Sequence, residues 1–445
     1  MNYKYSIIFV CLLSILISCE AGNNDNERIE NNGVNLRCRE IPLSLAYSSS
    51  QINAAIYRVN SITSDKKLQV ASYYDGNGKV VLAKRPLDSD TFEIVTTEYT
   101  GVVTDNHNII AVAIDGDGFI HLTYDHHNGR LKYRVSKNPY ELQFGELQYM
   151  VDSMQEQRIT YPEFHRKQDG NLIFVYRNGR SGNGDMIMNE YSVKEKKWER
   201  KTCKLIDGEN SRNAYWQMYM DKNDHIYLSW TWRETTDVNS NHDICYAQTI
   251  DGINWTDSNG KPYELPITMR AAEVIQEIPQ NSDLMNQTSM TVDNNNIPYV
   301  TSYWRDFDKS VPQYRILSKS GSSWSQIYES QRTSPFTLTE GQSLGNRFPI
   351  SRPKILIDDF GHCFLFYCDE ERNSMVSLTY CEDRGKTHWK TIDLTNYSVE
   401  AWEPTYDRER WKREKVIDLF VQKVYQGKNL SSEPEMARVL EIRTR

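Results

Sequence analysis

The stretch 115-DGDGFIHLTYD-125 joins an acidic glycine turn to an alternating apolar run and a polar stop. Glycine reaches positive φ without steric cost, so Asp-Gly pairs mark tight turns. The alternation that follows has the period of a half-buried strand. The same unit returns as 168-QDGNLIFVYR-177, 221-DKNDHIYLSWTWR-233, 293-DNNNIPYVTSYWR-305 and 358-DDFGHCFLFYCD-369. Its turn positions Gly118, Gly170, Asp224, Asn296 and Gly361 lie 52, 54, 72 and 65 residues apart. An earlier copy is read at 74-YDGNGKVVLAKR-85, and 417-IDLFVQKVYQG-427 reads as a final strand pair.

Helical periodicity is nearly absent after residue 35, and several units close on a tryptophan: Trp198, Trp255, Trp324 and Trp389. Two of these endings, 251-DGINW-255 and 383-DRGKTHW-389, resemble degenerate Asp-boxes, the turn motif of sialidase-type propeller blades. Repeats of short strands with turn chemistry and a structural tryptophan predict an all-β fold, a β-propeller. Closing a ring of blades removes the exposed edges that an open sheet of this length would carry. Counting the two ends gives six to eight blades, with seven the expectation. Two β-sandwich domains would need a divide, and no Pro/Gly/Ser-rich linker supplies one.

The first residues read as an export signal. Lys4 precedes an apolar run at 7–17 that is too short to span a bilayer, and Leu16-Ile17-Ser18-Cys19 forms a lipobox. Residues 1–19 are therefore expected to be a lipoprotein signal peptide acylated at Cys19, the alternative being an ordinary signal with a chance cysteine. Residues 20–38 are expected to form a flexible tether and 39–445 a single propeller domain. The expectation is an exported bacterial lipoprotein, monomeric, anchored by lipid at the outer membrane and facing the cell surface or periplasm. A formal charge of −8 argues against nucleic acid. An anionic substrate stays open, because local arginines override a weak global field.

Blade equivalence places Asp125, Arg177, Arg233, Arg305 and Asp369, each ending the second strand of its unit, on one face near the axis. Three guanidinium groups there suggest an anion-binding funnel, against the alternative of inter-blade salt bridges. Five of the nine histidines, His107, His121, His126, His127 and His165, fall within residues 107–165. In a strand His126 and His127 point to opposite sides, so that pair alone does not make a zinc grip. Cys363, Cys368, Cys381 and His362 form a compact set that could hold a structural zinc, or remain buried thiols or one disulfide; a structural metal ion, zinc or calcium, is left open for the chain as a whole. No cofactor is expected to be needed for catalysis.

The segments DNHN (105–108), YDHHN (124–128), TYPEF (160–164), YRNGRSGNGD (176–185), the Trp232-Arg233 pair and NHDICYA (241–247) resemble the ulvan lyases and related BNR-repeat-type seven-bladed propellers. The resemblance runs over roughly residues 40–430. It implies a polysaccharide lyase acting by β-elimination on a uronate-containing, ulvan-like glycan. His107 and His127 then match the family's active-site histidines, Tyr161 its catalytic tyrosine, and Arg177 its charge-neutralising arginine. His242 matches a substrate-contacting histidine, and Arg233, Arg305 and Trp232 are the further substrate-binding candidates. The chemistry needs a cation on the uronate carboxylate while charge develops, a base for the C5 proton and an acid for the C4 oxygen. Arg177 with His127 suits the first task, and Tyr161 with His107 the other two in either order. Tyrosine's pKa near 10 would then have to fall beside Arg or His. A sialidase-like hydrolase and a glycan-binding propeller without catalysis are the competing readings.

Overall fold

A computed structural model of the chain describes residues 27–30, 35–338, 348–383, 385–427 and 432–444. The expected signal peptide and its Cys19 lie outside these residues. Almost every element is an antiparallel strand, and the hydrogen-bonded sheets are consecutive meanders. The largest sheet comprises two meanders, 159–202 and 213–276, joined by a single parallel bridge between Gly184 and Asn213. The first strands of the meanders are Ile62–Ser64, Ile110–Ile114, Ile159–Arg166, Asn213–Met220, Ser289–Val292, Lys354–Ile357 and Thr405–Tyr406. They succeed one another around an axis, and the strand Thr405–Tyr406 packs back on Ile62–Ser64. The last sheet combines both ends of the chain: Asn35–Ala46 pairs with Glu435–Thr444, which pairs with Val416–Val421. This is a β-propeller.

That closing strand revises one boundary. Residues 35–38 were expected in the tether, yet Leu36 and Cys38 are buried and paired with Thr444 and Ile442. Glu27–Glu30 adds a further strand outside them. The polar composition upstream hides a strand whose inward positions alone are apolar.

The repeated turn explains the repeat. Gly78, Gly118, Gly170, Asp224, Asn296 and Gly361 all have positive φ, between 60° and 87°. At five of these turns one aspartate oxygen accepts two backbone amides. Asp115 Oδ1 takes those of Asp117 and Phe119, both at 2.9 Å, and Asp75, Asp221, Asp293 and Asp358 repeat the pattern. The Asp-box at 251–255 behaves similarly: Asp251 accepts from Ile253 and Asn254 at 2.8 Å, and Trp255 is buried behind it. Blade faces then stack through apolar clusters such as Ile52, Val70, Leu82, Val112 and Leu122. At one end of the axis the short helix Arg408–Glu414 packs, and Arg408 donates to the Phe164 carbonyl at 2.6 Å.

His126 shows what this packing costs. It is fully buried, accepts the Lys132 amide on Nε2 at 2.7 Å, and leaves Nδ1 without a hydrogen-bond partner. Burial, helped by Lys132 and opposed by Asp125, lowers its pKa to about 3. The stability gained by keeping it neutral is complete above the unfolded value near 6.5 and is lost as pH falls from there toward 3. Thermal melts at pH 7 and pH 4.5 should therefore show a large drop. A His126→Gln variant, which keeps an acceptor but cannot titrate, should show a smaller one. An equal drop in both proteins would refute the assignment.

Candidate active site

At the other end of the axis each meander contributes a side chain at or just before its first strand. These are Tyr57, His107, Tyr161, Tyr215, Asn286, Arg352 and Glu403. They form one contact chain through ring packing, cation–π contacts and hydrogen bonds.

Asp105 organises the histidines. Its Oδ1 is 2.7 Å from His107 Nδ1 and its Oδ2 is 2.5 Å from His127 Nδ1. A carboxylate only accepts, so each ring carries its proton on Nδ1 and leaves Nε2 on the side away from Asp105. The two imidazoles stack with centroids 4.0 Å apart and planes 16° from parallel. Burial favours the neutral carboxyl, but the hydrogen bonds of both histidines outweigh it and hold Asp105 well below the usual carboxylate range. Burial lowers the His107 pKa to about 4 against the pull of Asp105, so at neutral pH this imidazole is uncharged. His127 is placed by a strand pairing, His127 to Thr160, that also hands the Asn128 amide to Thr160 Oγ1 at 2.8 Å.

Tyr161 sits on an irregularity in the strand Ile159–Arg166, between Thr160 and Glu163, with φ of 57°. A bulky residue in the left-handed region is strained and persists where its surroundings over-determine it. Here the ring is wedged by Tyr57, His107, Tyr215 and the Arg177 guanidinium, whose Cζ stands 4.9 Å from its centroid. Arg177 is itself buried and donates to Thr160 Oγ1 at 3.1 Å and the Gly179 carbonyl at 3.2 Å. It pairs with neither Asp185, which is bound by Lys204, nor Glu163, which lies beside His165.

The expected fall in tyrosine pKa occurs, but on a different ring. Burial raises Tyr161 above its ordinary value in spite of Arg177 and Arg233. At Tyr215 burial is outweighed by Arg233 and Arg177, with hydrogen bonds from Ser181 and Asn213, and the pKa comes down to about 8. The Arg233 guanidinium stands 5.6 Å from the Tyr215 ring centroid. Tyr215 escaped the sequence reading because 213-NAYWQMYM-220 is simply an apolar strand.

The remaining candidates divide. His242 lies on the rim between Glu234 (3.1 Å) and Asp243 (3.0 Å), whose hydrogen bonds raise its pKa against burial. Arg305 does not join the cluster. Its nitrogens go to Asp283 and to the carbonyls of Lys309 and Asn281, so it braces its own loop. Trp232 is fully buried among Trp216, Trp230 and Trp255 and has no face to offer a sugar. The proposed zinc set is not assembled either. Cys363 and Cys381 pair across strands inside an apolar cluster, Cys368 belongs to another cluster and donates to the Glu400 carbonyl, and His362 binds Asp358. Among the described residues the group with metal-ligating reach is Asp105, His107 and His127. Their 2.5 and 2.7 Å contacts are direct hydrogen bonds. Bonds of about 2 Å to a tetrahedral ion would hold ligands roughly 3.3 Å apart.

The model of a BNR repeat-containing family member matches residues 68–332, more than half of the chain. The chain belongs to the BNR repeat-containing family. Within that family's reach, it is similar to an ulvan lyase, short isoform, of Alteromonas sp. (strain LOR), at 29% identity over 26% of this chain and 31% of that protein. It is also similar to an ulvan lyase, long isoform, of Alteromonas sp., at 22% identity over 48% of this chain and 27% of that protein. The match thus spans about a third or less of the curated relatives' length. Among solved structures the fold resembles the polysaccharide lyase Uly1, with a TM-score of 0.68 and 14% identity over 91% of this chain and 99% of that one. It resembles equally a PL25 ulvan lyase bound to -[GlcA(1-4)Rha3S]-, with a TM-score of 0.67 and 13% identity over 92% and 98% of the two chains.

Gly184, in the YRNGRSGNGD hairpin of this BNR-family chain, makes room for Arg177. A Cβ on Gly184 would stand 2.8 Å from Arg177 Cγ and 3.0 Å from Asn213 Oδ1. Gly184→Ala should displace the guanidinium from the Tyr161 ring while the hairpin persists. The Tyr215 phenol, having lost one of its two cations, should then titrate above pH 8 in ultraviolet difference spectra. An unchanged tyrosine titration would remove Arg177 from this role.

Proposed function

We propose that this chain is a polysaccharide lyase that cleaves a uronate-containing, ulvan-like glycan by β-elimination. The observation that carries the reading is the juxtaposition, at the axis, of an uncharged imidazole and a proton-loaded tyrosine backed by two buried guanidinium groups. Its support from relatives is the likeness to ulvan lyases and to a fold solved with a sulfated glucuronate–rhamnose oligosaccharide.

In this reading His107 takes the C5 proton. Its Nδ1–H is tied to Asp105, so Nε2 is the open, basic position, and a bound uronate beside it raises its basicity toward the working pH. The electrons of the C5–H bond form the C4–C5 double bond and the C4–O bond breaks. Tyr161, which burial keeps protonated, gives its proton to the departing oxygen. The field of Arg177 and Arg233, strong because both are buried, offsets the charge that spreads onto the carboxylate. His127, the more exposed imidazole at 36% of its side chain, donates to that carboxylate from Nε2 when the ring carries a proton on both nitrogens, Nδ1–H staying on Asp105. His242, with Glu234 and Arg212, contacts the neighbouring sugar from the rim. The anchor at Cys19 completes the proposal by holding the enzyme where polymer arrives from outside.

Digestion of uronate polymers followed at 235 nm tests this, since a lyase creates an unsaturated uronyl end and a hydrolase or lectin does not. Tyr161→Phe and His107→Ala should each lower kcat by about 10²- to 10⁴-fold, the usual worth of general acid–base catalysis. The base must be neutral, so kcat/KM should fall as pH drops through about 4. Ionisation of Tyr215 puts an anion behind the carboxylate, so kcat/KM should also fall above about 8. An acidic limb at 6.5 would contradict the role given to His107.

A further inference from the structure

The Asp105-linked histidines are the end of a longer column. The Tyr57 ring lies nearly parallel to that of His107 but offset from it, with centroids 6.0 Å apart and planes 13° from parallel. Its edge meets Tyr161 at 5.0 Å and 66°. Over the same ring stands the Arg352 guanidinium, 5.4 Å from the centroid. Tyr57 therefore touches both members of the acid–base pair and is otherwise enclosed, being 2% exposed.

Tyr57 is held from three directions. Its hydroxyl donates to the Asn106 carbonyl, next to His107, at 3.1 Å. Arg352 is gripped in a two-pronged bond by Glu403, Nε to Oε1 at 2.6 Å and Nη2 to Oε2 at 2.5 Å. The same carboxylate accepts the Ile56 amide at 2.9 Å, which ties the backbone beside Tyr57 to the clamp. A buried ion pair of this kind is desolvated on both sides, and such pairs are better attested as specifying geometry than as adding stability.

An imidazole bonded through Nδ1 alone can still swing about that bond, and its Nε2 moves most when it does. One face of His107 is covered by His127. We propose that Tyr57, clamped by the Arg352–Glu403 pair, is the positioning residue that packs against the His107 and Tyr161 rings together. It fixes the plane of the His107 imidazole against Asp105 and the spacing between His107 and Tyr161. Tyr57 does not exchange a proton itself. Burial holds its phenol far above its ordinary pKa, and its hydroxyl is spent on Asn106. The inference rests on the lyase reading for its kinetic consequences only.

The test uses the full chain, ring-nitrogen NMR of the histidines and kinetics at 235 nm. Tyr57→Leu removes the ring. His107 should then titrate between pH 5 and 7 instead of remaining neutral, and kcat should fall about 30-fold with KM within about twofold. Tyr57→Phe keeps the ring and loses only the bond to Asn106, so it should keep the wild-type titration and a kcat within about threefold. Glu403→Gln, isosteric with the native side chain, tests the clamp should the leucine variant not fold, and should lower kcat about fivefold in the same sense. Wild-type titration and kcat in Tyr57→Leu or in Glu403→Gln would overturn the proposal. So would a phenylalanine variant as poor as the leucine one, because the hydroxyl would then be the operative group. If the wild-type protein yields no chromophore from any uronate polymer, the lyase reading falls, while the His107 titration still decides the positioning.

Discussion

One aspartate oxygen accepting two backbone amides, with a residue of positive φ beside it, fixes where the first strand meets its second in the meanders that begin at Ile110, Asn213, Ser289 and Lys354. Strand side chains alternate with a period of two, so a slip of one residue would send every axial side chain into the space between blades. The turns lie at the end of the axis opposite the site, several residues away from the groups whose direction they set. Tyr161, Tyr215 and Arg177 face the axis because the hairpins beyond them cannot slip. The irregularity between Thr160 and Glu163 turns Tyr161 toward His107 and Tyr215.

That constraint explains how much of the molecule was legible. The turn positions named from the chain all have positive φ, because Gly, Asn and Asp are the residues that reach it cheaply. His126 and His127 do part company, but through a break in the strand: it ends at Tyr124, Asp125 takes positive φ, and His127 opens a new strand, so one histidine is buried and the other opens on the site. Alternation, applied to neighbours, would have excluded Trp232. Arg233 approaches Tyr215, so the tryptophan beside it must face the core between sheets. It would equally have split the cysteines, since Cys363 and Cys368 are an odd number of residues apart and join different clusters. Arg305 shares its strand position with Arg177 and Arg233 but not their surroundings, because Asp283 is there to take it. Tyr57, Tyr215, Arg352 and Glu403 carried no local signal. Each lies at the head of a separate meander, and only the ring brings residues so distant in the chain into one column.

The column also reverses the usual direction of electrostatic argument. A global charge of −8 says nothing about a site whose cations are buried. In a low-dielectric interior a guanidinium acts over several ångströms without touching what it stabilises, and here two of them act through tyrosine rings. The two phenols respond oppositely because Arg233 and Arg177 together outweigh burial at Tyr215 and do not at Tyr161. Tyr215 has Ser181 and Asn213 to solvate an oxyanion, and Tyr161, with burial as its largest influence, keeps its proton. A pair of like side chains at equivalent blade positions thus separates into a proton holder and an ionisable neighbour without any change of residue type.

Such a site is set before any ligand arrives. The histidine tautomers are dictated by Asp105, the ring planes by stacking, and the guanidinium positions by carbonyls and Thr160. None of these groups would have to reorganise if charge developed in front of them, as the proposed elimination requires, and that is the condition under which fixed dipoles and charges stabilise a transition state most. The cost is visible in the same residues: a strained Tyr161, desolvated arginines and an imidazole denied its charge. A propeller can carry that cost at its axis because the blades are held elsewhere, by apolar faces and by turns that do not depend on the site.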